Sequence, residues 1–375
     1  MQLPEMKRLG FGCMRLPVID RQDQVDVESV IKMVDYSLAN GFTYFDTAHP
    51  YHGGHSETAL REALVKRHPR DSFFLADKMP PWEIKAPSDY ERVFEEQLER
   101  CGVTFFDFYL LHNMGIANYD LMLKTGGFDY LRGLKRDGKA TYIGFSFHDM
   151  PELLDRILTE QPEVDFVQLQ INYADWERPS IQSRACLEVA NKHGKPVIVM
   201  EPVKGGGLAN PADAIKALFE AKNPEMSPAS WAIRFAASQP GVKLVLSGMT
   251  ALSQMEDNIG YMADFKPMTA EELDTVQQAM TIINESTAIP CTNCQYCVDT
   301  CPQKINIPAL FSVYNMVEQF GKQNFPAMHY QRATTGRGKA SACIACGQCE
   351  SHCPQHIAII ETLVKVAERF EKKRA

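Results

Sequence analysis

Residues 105–112 read Phe-Phe-Asp-Phe-Tyr-Leu-Leu-His, a short apolar run that closes on a titratable side chain, His112. A run of this length suits a buried strand, whereas a helix needs ten or more residues. The same grammar recurs on either side. Runs at 43–46, 72–78, 141–146, 165–170, 196–201 and 243–247 are further strand candidates, and amphipathic stretches alternate with them. Those stretches carry helix ends. The one at 26–40 stops at Gly41, a usual helix stop. Ser88-Asp89-Tyr90-Glu91 and Thr269-Ala270-Glu271-Glu272 have the form of capping boxes. Ser227-Pro228 sets a capping residue before a proline at the first helical position. Repeated strand–helix units predict parallel strands joined by helical crossovers. Seven candidates, with an eighth near residues 8–12 or 202–210, predict an α/β fold: a (β/α)₈ TIM barrel of about 250 residues. A doubly wound sheet is the alternative, but no G-x-G-x-x-G follows the first strand.

The ends of the runs carry the chemistry. Asp46, Lys78, His112, Ser146, Gln170 and Glu201 each close an apolar run at its C-terminal end. In a barrel those ends gather at one mouth, where active sites are built. Any one of them alone would read as a hydrogen-bonded structural group. Six converging polar side chains read as a site.

Composition excludes several other classes. Hydrophobic residues make up 45% and charged residues 23%, ordinary globular values that rule out a disordered chain. The formal charge of −8 and a pI near 5.7 argue against nucleic-acid binding. No apolar stretch reaches the roughly 18 residues of a membrane span. Met1–Gly10 has no apolar signal core, so a cytoplasmic protein is expected. Eleven cysteines in such a chain point to metal binding rather than to disulfides.

Eight of the eleven fall in two identical spacings. Cys291, Cys294, Cys297 and Cys301-Pro302 form one; Cys343, Cys346, Cys349 and Cys353-Pro354 form the other. Each is C-x₂-C-x₂-C-x₃-C-P, the run that holds a [4Fe–4S] cluster and lends its fourth cysteine to the neighbouring cluster. The expected sets are therefore Cys291, Cys294, Cys297 with Cys353, and Cys343, Cys346, Cys349 with Cys301. Zinc, which also takes four thiolates, is the alternative. Helices are expected at 307–320 and about 357–370, giving a small helical dicluster ferredoxin-like domain over 284–375 after a barrel over 1–283. Lys304, Arg332, Arg337 and Lys339 would offset anionic clusters, receive an acidic partner, or form an ordinary solvated surface. Cys13, Cys101 and Cys186 are expected in apolar packing.

Phe45-Asp46-Thr47-Ala48-His49-Pro50-Tyr51 with Ser56-Glu57 resembles the Asp-Thr-Ala…Tyr…Ser-Glu signature of the aldo-keto reductases. Lys78 and His112 match the family's two other catalytic positions, and the resemblance runs in order from about Leu9 to Asn258. The whole chain resembles the subgroup with a C-terminal dicluster ferredoxin domain. The resemblance implies NAD(P)H-dependent reduction of a small carbonyl substrate. Tyr51 would be the proton donor, Lys78 would lower its pKa, Asp46 would keep Lys78 charged, and His112 would orient the carbonyl. It further implies nucleotide contacts from Ser146 and Gln170 to the carboxamide, and stacking by Tyr173. Gly205 and Gly206 would lie near the pyrophosphate, and Ser247, Gly248, Asp257 and Asn258 complete the cofactor segments. Residues 249–254 read Met-Thr-Ala-Leu-Ser-Gln, without the cations a 2′-phosphate would want at Ala251 and Gln254, which makes NADH more plausible.

Hydride moves electrons in pairs, while [4Fe–4S] clusters take one at a time, and a flavin is the usual converter. Three readings follow. The barrel reduces carbonyls while the clusters relay electrons or sense redox state; or a flavin in the barrel exchanges electrons through the clusters with a ferredoxin or flavodoxin-like partner; or the chain is a non-catalytic electron-transfer protein. Trp82 would wall the substrate pocket or pack its own loop. His49, His52 and His55 read as a polar loop, because no acidic or cysteine partner completes a metal set.

Overall fold

The computed structural model describes residues 2–19, 24–178, 181–291, 295–320, 326–353 and 355–371. The chain divides into two compact units. One comprises Met1–Val203 with Ala229–Glu271, the other Lys204–Pro228 with Glu272–Ala375.

In the first unit, eight parallel strands close into a barrel in chain order: β1 Leu9–Gly12, β2 Tyr44–Asp46, β3 Phe74–Met79, β4 Phe106–Leu111, β5 Ala140–Phe147, β6 Phe166–Gln170, β7 Val197–Met200 and β8 Val242–Gly248. Of the two places left open for an eighth strand, residues 9–12 supply it. β1 closes the barrel by pairing with β8 in the register Gly12↔Gly248.

Strand periodicity decides which side chains face in, because alternate residues point to opposite faces. Tyr44, Ala76, Phe108, Leu110, Phe166, Ile198, Leu244 and Leu246 form one buried cluster. Their odd-numbered neighbours Phe45, Leu75, Tyr109, Leu111, Val199 and Val245 belong to the larger core under the helices. The inward set is even-numbered throughout. Extending it by two residues along each strand reaches Asp46, Lys78, His112, Ser146, Gln168 and Gln170. Glu201 is odd-numbered and lies one residue past β7, in a left-handed conformation with φ of 55°. Gly144 is required in this interior, since a Cβ there would stand 2.5 Å from the Phe166 carbonyl oxygen.

Helix ends follow the sequence in some places and not in others. The helix Val27–Ala39 starts at Asp26, whose carboxylate accepts the Ser29 N–H, and it ends before Gly41 at φ 76°. The helices Pro228–Ser238 and Ala270–Glu285 begin where expected. The box expected at Ser88 does not form. Ser88 makes no capping bond, and Asp89 instead accepts the N–H groups of Lys85 and Ala86 at 2.8 and 2.9 Å. A carboxylate one residue further on offers a stronger acceptor than a hydroxyl, and the preceding turn folds onto it.

The second unit carries the helices Asp213–Lys222, Ile307–Phe320, Pro326–Thr334 and Ile359–Phe370. Ile305, Ile307, Leu310, Phe311, Ile359, Leu363 and Val366 form its core together with Cys297 and Cys349. Its two cysteine loops are built alike. Gln295 and Gly347, left-handed at φ 66° and 76°, open the short helices Tyr296–Asp299 and Gln348–Ser351. Lys304 and His356, at φ 54° and 51°, follow Cys301 and Cys353 at the same spacing. Among the described residues no helix is long and apolar enough to cross a membrane.

Candidate active site

The barrel mouth is organised around a buried ammonium. Lys78, at the end of β3, is fully buried and donates to Asp46 Oδ1 at 2.6 Å and to the Thr47 carbonyl at 2.7 Å. Asp46 receives a second donor, Gln168 Nε2, at 3.0 Å. Burial pushes the Lys78 pKa down most strongly of any single effect, but Asp46, Tyr51 and Asp77 together make the net shift upward. The lysine stays charged. Its Nζ lies 4.9 Å from the centroid of the Tyr51 ring.

Two opposed effects act on Tyr51. Lys78 pulls its pKa down, as expected, yet desolvation pushes harder and the phenol ends above its ordinary value. It therefore holds its proton through neutral pH. His112 stands edge-on to Tyr51 at 6.1 Å, and the ring of Trp82 lies 5.3 Å from it on another side. Desolvation, then the charge of Lys78, press the imidazole well below its usual pKa, so it is neutral. Its Nδ1 is buried and has no hydrogen-bond partner among the described residues. Asp46, Tyr51, Lys78 and His112 thus form one constellation, with the Trp82 ring beside His112.

The nucleotide candidates divide. Ser146 Oγ accepts the Asn113 N–H at 2.8 Å, and Gln170 Nε2 donates to Asp175 at 2.9 Å. Ser247 Oγ accepts from Asn258 Nδ2 at 2.7 Å, and Asn258 is buried while Asp257 is exposed. Gly248 is packed against the Arg15 side chain, whose carbon would lie 3.3 Å from a Cβ. Tyr173 corrects an expectation. It is fully buried with its ring perpendicular to Phe235 and offers no open face for stacking. Gly205 and Gly206 belong to the second unit, at φ 64° and 100°, in a turn where Gly207 N–H bonds to the Lys204 carbonyl. Gln254 folds back to accept from Thr250, so it caps its own helix.

Several groups escaped the sequence reading. Gln168 was visible inside a motif but has no marker that distinguishes it from Gln170 except inward parity. Arg15, which the sequence did not single out, forms an ion pair at 3.7 Å with Glu201, one of the six strand-end groups. Behind Lys78 lies a buried acidic set in which Glu57, Asp77 and Cys101 bring their polar atoms within 4.8 Å of one another. Arg100 donates to Glu57 at 3.1 Å, and Gln97 Nε2 bridges Glu57 and the Lys78 carbonyl at 3.2 and 3.0 Å. Burial, then the charge of Glu57, push Asp77 well above the carboxylate range. Cys13 and Cys186 sit in the apolar core as expected; Cys101 does too, but its thiol also points at Asp77 Oδ2, 3.6 Å away. His52 accepts the Leu16 N–H at 3.0 Å, a structural task.

In the second unit the cysteines line two small cavities. Cys291, Cys297 and Cys353 share one, with Ile307, Pro308, Phe311 and Ile359. Cys301, Cys343, Cys346 and Cys349 share the other, with Ile305, Ile307, Ile344 and Leu363. The grouping is crosswise: Cys353 lies with Cys291 and Cys297, and Cys301 lies with Cys343, Cys346 and Cys349. Ile307 walls both. Cys294 lies outside the described residues.

A closed parallel barrel thus carries a buried Asp–Lys pair, a tyrosine and a neutral histidine at its C-terminal mouth, the end at which TIM-barrel enzymes build their active sites. Comparison with known proteins makes the class specific. Residues 8–281 match the model of the aldo/keto reductase family, and residues 290–358 match that of the 4Fe-4S dicluster domain. The chain belongs to the aldo/keto reductase family and carries a C-terminal 4Fe-4S dicluster domain. Among curated relatives, "Probable aldo-keto reductase 1" of Glycine max is 26% identical over 69% of this chain and 82% of its own. "L-galactose dehydrogenase" of Arabidopsis thaliana is 22% identical, over 74% and 91%. Among solved structures, aldo-keto reductase AKR11C1 of Bacillus halodurans has a TM-score of 0.60 at 23% identity, covering 74% of this chain and 96% of that one. An aldo-keto reductase of Klebsiella pneumoniae in complex with NADPH has a TM-score of 0.59 at 22% identity, over 73% and 91%.

Proposed function

We propose that the barrel reduces a small-molecule carbonyl with hydride from NAD(P)H, and that the two cysteine sets hold [4Fe–4S] clusters that exchange electrons with a ferredoxin or flavodoxin-like carrier. The observation that carries the first part is the buried Lys78 ammonium fixed between Asp46 and Thr47 and facing Tyr51.

The strand ends fit a nicotinamide carboxamide, which needs one donor and one acceptor. Ser146 has used an acceptor site on Asn113 and keeps its O–H to donate; Gln170 has used its amide N–H on Asp175 and keeps its carbonyl to accept. When bound, the reduced nicotinamide supplies hydride to the carbonyl carbon. The remaining tasks fall to the chain. Tyr51, protonated at neutral pH, gives its proton to the carbonyl oxygen, and the Lys78 ammonium stabilises the phenolate that develops. Asp46 and Gln168 hold Lys78 in place. With no acceptor at Nδ1, neutral His112 carries its proton best on Nε2, where the substrate oxygen can accept it.

The doubled C-x₂-C-x₂-C-x₃-C-P spacing, together with the match to the 4Fe-4S dicluster domain, favours clusters over zinc. Tyr51→Phe tests the barrel. Carbonyl turnover should fall by about 10²–10⁴, the range for a general acid, with nucleotide affinity unchanged. Turnover near that of the parent removes the tetrad from the mechanism, and stoichiometric release of flavin from the purified protein replaces the nicotinamide reading.

A further inference from the structure

The cysteine-bearing unit presents a face that this reading leaves unused. Ile344, between Cys343 and Cys346, is 58% exposed and lines the cavity it shares with Cys301 and Cys349. Cys346 is itself exposed. Three cations belong to the same part of the fold. Lys304 follows Cys301, and the parallel bridge Ile305↔Gly338, with Gly338 N–H donating to the Lys304 carbonyl, sets Lys304 beside Arg337. The turn that bonds Thr335 N–H to the Arg332 carbonyl and Arg337 N–H to the Thr334 carbonyl brings Arg332 alongside. All three cations are exposed. Among the described residues none of them forms an ion pair, whereas Lys365 is matched by Glu361 and Arg369 by Glu318. Beside the other cavity, His356 stands where Lys304 stands here.

We propose that this face, with Ile344 among Lys304, Arg332 and Arg337, docks a small acidic one-electron carrier protein, and that the site of Cys301, Cys343, Cys346 and Cys349 is the one that exchanges electrons with it. The assignment rests on the cluster reading above. Unpaired cations beside a ligand loop steer an acidic partner, and a lone exposed aliphatic side chain provides the small dry contact of a transient redox encounter. A carboxylate-rich partner supplies the charges these cations lack at home. One electron passes per encounter: the reduced carrier loses it, the oxidised cluster gains it, and no bond forms or breaks.

The experiment uses the full-length protein, anaerobically purified, with iron and sulfide analysis and the electron paramagnetic resonance spectrum of the reduced form. An acidic [2Fe–2S] ferredoxin, chemically reduced, then serves as donor in stopped-flow mixing. In the double variant Lys304→Glu, Arg337→Glu the second-order rate should fall about tenfold or more at low salt, as expected when steering is reversed. The difference should close at high ionic strength while the cluster spectrum is unchanged. Ile344→Gln should slow the reaction and leave its salt dependence intact. Reduced methyl viologen, a small cation with no surface to match, should react no more slowly with the double variant than with the parent. An unchanged ferredoxin rate and salt slope in a double variant with intact clusters overturns the docking face alone; so does an equal fall with methyl viologen. Absence of iron and sulfide overturns the cluster reading, and the docking face with it.

Discussion

Behind the tetrad, two carboxyl groups share a space that suits one charge. Glu57 faces Arg100, while Asp77, which accepts the Lys78 N–H and the Cys101 thiol, also shares a hydrogen bond with Glu57; burial and the Glu57 charge raise Asp77, so the shared proton is placed on it. The folded protein then binds a proton that the unfolded chain, with an ordinary aspartate near 3.9, has released above about pH 5. Stability therefore declines as pH rises towards the raised pKa of Asp77, by up to about 1.4 kcal/mol per unit from this group. Asp77→Asn, an amide in place of the neutral acid, should flatten that decline between pH 6 and 9 in urea titrations. A parent and variant with parallel pH profiles would show that Asp77 is ionised in the fold. None of this was legible beforehand. Asp77 reads as one polar residue in an apolar run, and its proximity to Glu57 and Cys101 arises from three separate elements. Asp46, Lys78 and His112 were legible because they stand at strand ends, whereas Tyr51, in the turn after β2, was legible only through the family resemblance. Tyr173 was not, since a motif match says nothing about whether a ring is open or covered.

At the scale of the element, periodicity explains both the successes and the misses. Strands were readable as apolar runs, and inward parity selects Gln168 once Lys78 is known to face in. Glu201 closes its run in sequence but breaks parity; it pairs with Arg15, and its charge still acts on Tyr51. The expected box at Ser88 failed because a capping motif is a local pattern, and Asp89 offered the preceding turn a better acceptor. Gly144 shows a constraint with no sequence mark. Because the atom nearest a new Cβ is backbone, the strand itself must shift, and Gly144→Ala should cost about 1–3 kcal/mol, as overpacked cores do. Chemical denaturation would measure it, and a loss below about 0.5 kcal/mol would mean that β5 and β6 slide apart freely.

For the whole molecule, the two units differ in what holds them together. The barrel unit has an apolar core on both faces of its strands. The second unit has a small core with cysteines inside it. Where ligands lie within a core, the free energy of metal binding is folding free energy. Removing iron with a chelator under reducing conditions should therefore melt the second unit at a lower temperature while the barrel transition holds. One unchanged transition after iron loss would show that the cysteines contribute no more than ordinary packing. The division of labour was readable from cysteine spacing. The assignment of Lys204–Pro228 to the second unit was not, because nothing in those residues marks which core they join.

The crosswise sharing of Cys301 and Cys353 has a consequence for how such a unit can change over time. On the cluster reading proposed above, each half of the duplicated run lends a ligand to the other, so neither could be discarded, shortened or repurposed by itself. A lesion in one half would then disarm both sites at once, binding the two copies to a common fate.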